Sequence, residues 1–191
     1  PWLRSHAMTT DVDAKCLETF PLWLRTLGDD AEGLVDLISL GTVPETARRV
    51  LSGGLNYLFK SLDLIPDGID DIGYLDDAFV LRVAAGHAVK EELDKVDAEK
   101  LKVCMKLAND VELIESFLGK DYHRLETYVT GLRKGAARGR SVDDIVSNPA
   151  VLSEFASDVR GFARSYASPS FSREQKNLIK LRAFFDAKLP R

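Results

Sequence analysis

Between Ser61 and Phe79 the chain reads Ser-Leu-Asp-Leu-Ile-Pro-Asp-Gly-Ile-Asp-Asp-Ile-Gly-Tyr-Leu-Asp-Asp-Ala-Phe, six aspartates set among apolar residues, two glycines and a proline, with no lysine or arginine. Carboxylates this dense repel one another, so a fold that buries the apolar residues between them must supply backbone N–H groups, helix N-termini, cations or a bound metal. Pro66, Gly68 and Gly73 also oppose a continuous helix. The chain is therefore expected to bend here.

Outside this stretch apolar residues recur at helical spacing, and β-branched residues are scattered rather than gathered into short runs, which predicts an all-α fold. Asp11–Leu27 places Leu17, Phe20, Leu24 and Leu27 on one face, with Pro21 able to bend it and Gly28 as its stop. A second helix is expected over Asp29–Leu40 and a third from Thr42 to about Lys60, with Pro44 in its first turn. Gly53-Gly54 inside that helix disfavours it by about 1 kcal/mol per glycine relative to alanine, which points to close helix packing. Further helices are expected over Tyr74–Leu93, Asp97–Leu118, Asp121–Lys134, Val142–Val146, Pro149–Ala167 and Ser172–Leu189. The resulting expectation is an irregular multi-helix bundle of about seven to nine helices.

The chain is 191 residues long, 45% hydrophobic and has a net charge of −4. This net value conceals an asymmetry: residues 1–119 hold 12 Lys and Arg against 22 Asp and Glu, whereas residues 120–191 hold 14 against 8. Either the halves attract each other or the basic half meets an anionic partner. Residues 1–7 read as an expression-tag remnant ahead of Met8, residues 8–134 as a helical domain, and residues 141–191 as a basic helical segment packing on it. The Gly135–Arg140 linker is the expected boundary. Cys16 and Cys104 belong to no Cys-x-x-Cys pair and read as reduced, partly buried thiols. No secretory signal is read, and no apolar run reaches the ~18 residues of a membrane span, so a cytoplasmic location is expected.

Leu62-Asp-Leu-Ile-Pro-Asp67 followed by Ile72-Gly-Tyr-Leu-Asp-Asp77 resembles the signature of the YkvA-like family, a small bacterial helical domain of unknown function (domain of unknown function 1232). With flanking helices the resemblance spans residues 51–88. It implies a helical domain and no assigned activity. Some relatives look membrane-associated through more apolar flanks, whereas Lys60, Arg82, His87 and Lys90 interrupt the flanks here. Asp70-Asp71 stands where relatives commonly carry an apolar residue or proline.

Two readings of the aspartates are weighed. In the first, Asp63, Pro66, Asp67, Gly73, Asp76 and Asp77 form a structural corner: Asp63 and Asp67 accept backbone N–H groups, and Asp76 and Asp77 sit in the first turn of the next helix. Leu62, Leu64, Ile65, Ile69, Ile72 and Leu75 would then plug the corner into the core. In the second, Asp67, Asp71, Asp76 and Asp77 hold Mg²⁺ or Ca²⁺, although the spacing does not fit an EF-hand loop. An acidic patch docking a cationic partner is the remaining reading. Arg133, Lys134, Arg138 and Arg140 offer a contact for an anion or partner, without the interleaved aromatics that would suit nucleic-acid bases.

His87 and His123 each lack a second histidine at i+3 or i+4 and read as structural. Phosphate-loop, dinucleotide and nucleophile-elbow signatures are missing. The expected function is a non-enzymatic binding or adaptor protein, with a protein partner and no cofactor. The alternatives are a divalent-metal hydrolase acting on anionic substrates through the aspartates, and a peripheral membrane protein attached through the last helix, whose Leu178, Leu181, Phe184 and Phe185 recur at helical spacing beside basic residues.

Overall fold

The first helix runs straight through the glycine at which the sequence predicts a stop. In a computed structural model, which describes residues 2–191 and the side chains from residue 11 onward, helix α1 spans Trp2–Ile38. Pro1 and the side chains of the expected tag remnant lie outside the described residues. Gly28 is a packing residue rather than a terminator: a Cβ there would lie 3.2 Å from the Ala163 carbonyl oxygen on a neighbouring helix. Asp29 and Asp30 do not cap a second helix, because Asp30 is buried and accepts the Thr26 hydroxyl one turn earlier at 2.7 Å. Pro21 lies within the continuous helix.

Helix α2 spans Glu45–Tyr57, with Pro44 just ahead of it. Its two glycines do what the pattern predicts. A Cβ on Gly54 would meet the Ala84 methyl at 2.7 Å, and one on Gly53 would meet the Leu132 backbone at 2.8 Å. Helix α3 (Leu75–Ala88) is buried on almost every side, as expected of a central helix rather than an amphipathic one. The amphipathic stretch expected as one helix is broken at Asp110 into α4 (Ala98–Asn109) and α5 (Val111–Leu118). The Asp110 carboxylate accepts Arg82 Nε from α3 at 2.9 Å, a tertiary partner that local spacing cannot disclose.

After a 3₁₀ turn at Gly119–Asp121 comes α6 (Tyr122–Leu132). The expected linker is an ordered hairpin: β1 (Ala136–Ala137) pairs antiparallel with β2 (Arg140–Ser141) through a turn with Arg138 and Gly139 at φ 50° and 73°. Two residues with positive φ between short strands match the twist of a tight hairpin. Asn56 Nδ2 donates to the Arg140 carbonyl at 3.2 Å and anchors the hairpin to α2. Helix α7 (Val142–Ser147) follows, opened by a Ser141–Asp144 capping box, then α8 (Pro149–Ser165) and α9 (Gln175–Lys188). The described residues thus hold nine α-helices and one small hairpin, an all-α multi-helix fold.

One hydrophobic cluster takes in residues from Cys16 on α1 to Leu189 beyond α9. At its centre Phe20, Trp23, Phe79 and Phe117 meet edge to face or tilted, and Phe79 stacks on Phe185 of α9 at 5.2 Å. Leu178, Leu181 and Phe185 are buried in the bundle, so the apolar face on which membrane attachment was expected to rest is occupied by the core. No described helix is long and apolar enough to cross a membrane. Both cysteines are buried, and burial pushes each thiol up to about 12. Attraction between the oppositely charged halves is visible in two ion pairs, Asp13–Arg182 at 2.6 Å and Asp36–Arg160 at 2.5 Å.

Candidate functional site

The aspartate segment turns a corner between α2 and α3, and its shape comes from a glycine and a tyrosine as much as from the aspartates. Gly73 N–H donates to the Ile69 carbonyl at 2.8 Å, and a Cβ on Gly73 would fall 2.2 Å from the Asp67 carbonyl oxygen, so the turn closes only around glycine. Pro66, exposed at the bend, accepts the Ile69 N–H through its carbonyl at 3.0 Å. Asp71 and Tyr74 both take positive φ, 71° and 65°. Aspartate tolerates that region, but a bulky tyrosine there signals strain imposed by its surroundings.

Leu64, Ile65, Ile72 and Leu75 plug the corner into the core as expected, with Ile69 partly buried against it. Leu62 does not, being 84% exposed. Five of the six aspartates divide into three sets, and Asp70 is exposed. Asp76, fully buried in the first turn of α3, accepts the Tyr57 hydroxyl at 2.5 Å and the Ile65 N–H at 2.9 Å on the same oxygen, while Tyr57 itself accepts the Leu64 N–H at 2.7 Å. One carboxylate and one phenol thereby tie the corner to both helices. The other oxygen, Oδ1, has no hydrogen-bond partner among the described residues. Asp77 beside it is 3% exposed.

Asp63 and Asp67 form the second set. The backbone N–H bonds expected for them go instead to Asp76 and Tyr57, because those are the acceptors inside the fold. Asp71, the third set, accepts the Ser172 N–H at 2.9 Å and its hydroxyl at 3.2 Å. These bonds lower the Asp71 pKa and commit it to the segment before α9. The four carboxylates expected as metal ligands, Asp67, Asp71, Asp76 and Asp77, are therefore not placed to hold one ion together. Among the described residues no three His, Cys, Asp or Glu side chains are placed to share an ion.

None of the six aspartates is in an ion pair among the described residues. Burial and then Asp67 push Asp63 up to about 6, with Lys60 opposing. Burial is also the main cause at Asp76, pushed up to about 7 against the pull of its two hydrogen bonds. Asp77 rises well above the carboxylate range through burial and then the charges of Asp76, Asp67 and Asp63. Asp67 keeps its solvent exposure, while the protein packed beside it raises its proton affinity and the Tyr74 hydroxyl opposes the rise.

Asp67 opens onto a cleft of about 400 Å³ between the corner, the hairpin tip and α8. Its aromatic walls are Phe59, Tyr74 and Phe162, and Gly161 lies in the α8 wall with no atom within 4 Å of where a Cβ would stand. Arg138 reaches in from the hairpin, its guanidinium 5.0 Å from the Phe59 ring centre. Of the four basic residues expected as an anion contact, Arg133 and Lys134 are exposed. Arg140 is not available to an external anion, because it pairs with Asp158 at 2.8 Å and lies over Phe155.

His87 faces Thr130, Nε2 to Oγ1 at 3.3 Å, and His123 is exposed beside Glu126. Sequence reasoning missed the buried charge network around Arg82, which it treated as a polar interruption of a flank. The visible signal was an arginine inside an otherwise apolar helix, a residue type that is buried only when paired.

Residues 47–82, covering most of α2, the corner and half of α3, match the model of the family described as a protein of unknown function (DUF1232). No curated protein and no solved structure matches the chain.

Proposed function

We propose that the chain is a helical binding module that docks a basic segment of a protein partner in the cleft beside the aspartate corner. The observation carrying this reading is Asp67, in no ion pair among the described residues, at the mouth of an aromatic-walled cleft, with Asp63 close enough behind it to feel its charge. Carboxylates without cations project a negative potential, and ring faces add attraction for ammonium and guanidinium groups of about 0.5–2 kcal/mol each. Arg138 over Phe59 is an internal example of a cation accommodated at this face. Gly161 supports the same reading, since it lines the cleft and leaves open space where a side chain would stand. Free, buried cysteines suit a reducing compartment such as the cytoplasm.

A fluorescent lysine- and arginine-rich peptide titrated by anisotropy tests the proposal. Saturable, salt-sensitive binding is expected, weakened about tenfold by Asp67→Asn with Asp63→Asn and by Gly161→Leu. Binding indifferent to both changes, or equal binding of a glutamate-rich peptide, would overturn the reading.

A further inference from the structure

We infer a second site, independent of the acidic cleft: a cavity of about 620 Å³ between α6, the end of α2 and the segment after α9, which takes a small ligand with one anionic head on an apolar body. Its walls are largely apolar, from Tyr128, Leu132 and Pro190, and the charged side chains lining it are all basic. Such a mixture of apolar wall and few convergent polar groups is the usual make-up of a small-molecule site.

Lys60 supplies the charge. Its ammonium lies 3.1 Å from the Tyr128 hydroxyl, 5.3 Å from the centre of that ring and 5.8 Å from that of Tyr57, with no carboxylate paired to it among the described residues. Two ring faces and one phenol hold the ammonium in place while leaving donors for an anion. Arg124 has a different role. Its guanidinium donates to the Pro190 carbonyl at 3.1 Å, the Asp186 carbonyl at 3.0 Å and the Leu189 carbonyl at 2.5 Å, so it positions the wall rather than the ligand.

Gly131 lines the same space. It is exposed in the last turn of α6, its carbonyl accepting the Lys134 N–H at 3.1 Å, and nothing lies within 4 Å of where its Cβ would stand. A side chain there would project into open space rather than against a neighbouring helix. Gly28, Gly53 and Gly54, by contrast, each face a neighbouring helix or backbone within 3.2 Å. Gly131 faces the cavity instead.

The test uses the full chain and the anionic aromatic probe 8-anilinonaphthalene-1-sulfonate. Saturable one-to-one binding with blue-shifted emission is expected, displaced by decanoate or decyl phosphate below their micellar concentrations and not by decyltrimethylammonium. The stronger of the two anionic competitors identifies the head group. Lys60→Met should weaken the probe about tenfold or more, since a hydrogen bond to a charged group contributes about 1.5–3 kcal/mol. Gly131→Leu should abolish binding by filling the cavity while leaving the thermal midpoint unreduced, which keeps the test decisive if Lys60→Met perturbs the fold. No saturable binding, equal displacement by the cationic competitor, or affinity unchanged by Gly131→Leu overturns the proposal.

Discussion

Helix α3 buries carboxylates at two places, and it handles them in opposite ways. Near its middle Arg82 is completely buried, its Nε 2.9 Å from Asp110, one terminal nitrogen 3.4 Å from Asp30 and the other 3.1 Å from the Ala78 carbonyl, with the Trp23 ring centre 4.2 Å from the guanidinium. Asp30 also receives Lys106 at 2.9 Å and the Thr26 hydroxyl. At the start of the same helix Asp76 and Asp77 are equally buried, with one phenol and one backbone N–H on Asp76 and no cation paired to either among the described residues. The first arrangement neutralises its charge with opposite charge. The second has no cation, and burial raises the proton affinity of both carboxyls.

Removing a charge should therefore damage the first site and relieve the second. The largest effect is expected for Arg82→Met, which leaves Asp30 and Asp110 without their shared partner; a loss of about 3–5 kcal/mol in urea unfolding is expected. A loss below 1 kcal/mol would show that water or Lys106 replaces the guanidinium, and the contrast would collapse.

The corner should respond in the other direction. Asp76 and Asp77 bind protons more tightly folded than unfolded, so their contribution is fully present below the ordinary carboxylate pKa and is lost as pH rises through the folded values, about 7 for Asp76. Unfolding free energy should consequently fall between pH 5 and pH 8. Asp77→Asn should flatten that decline and raise stability at pH 8 by on the order of 1–2 kcal/mol, with little change near pH 4. A native protein equally stable at both pH values would mean that the corner is neutralised in another way.

The smallest effect is expected at the rim of the network, where the Lys106 side chain is half exposed. Lys106→Ala should lower stability by no more than about 1 kcal/mol, less in high salt, by thermal denaturation at two ionic strengths. A larger loss would make Lys106, not Arg82, the main counter-charge of Asp30.

The helical class, the glycine packing of α2 and the corner at residues 61–74 were legible because each rests on local chemistry: spacing, missing Cβ atoms and a proline among glycines. Asp76 and Asp77 were read correctly as first-turn residues for the same reason. The fate of each carboxylate was not legible. Asp71 met Ser172, 101 residues away, and the N–H groups assigned to Asp63 and Asp67 went to Asp76 and Tyr57. Helix ends failed where tertiary partners overrode local signals, as at Gly28 against Ala163 and Asp110 against Arg82.

By itself the sequence determined that this protein is a helical bundle with an acidic bend, since backbone preference and apolar periodicity act within a few residues and are written in their order. Which acids pair, which gain proton affinity and which face an open cleft were decided only when α3 was enclosed by its neighbours. Charge compensation depends on distance and on exclusion of water, and both are properties of the packed structure.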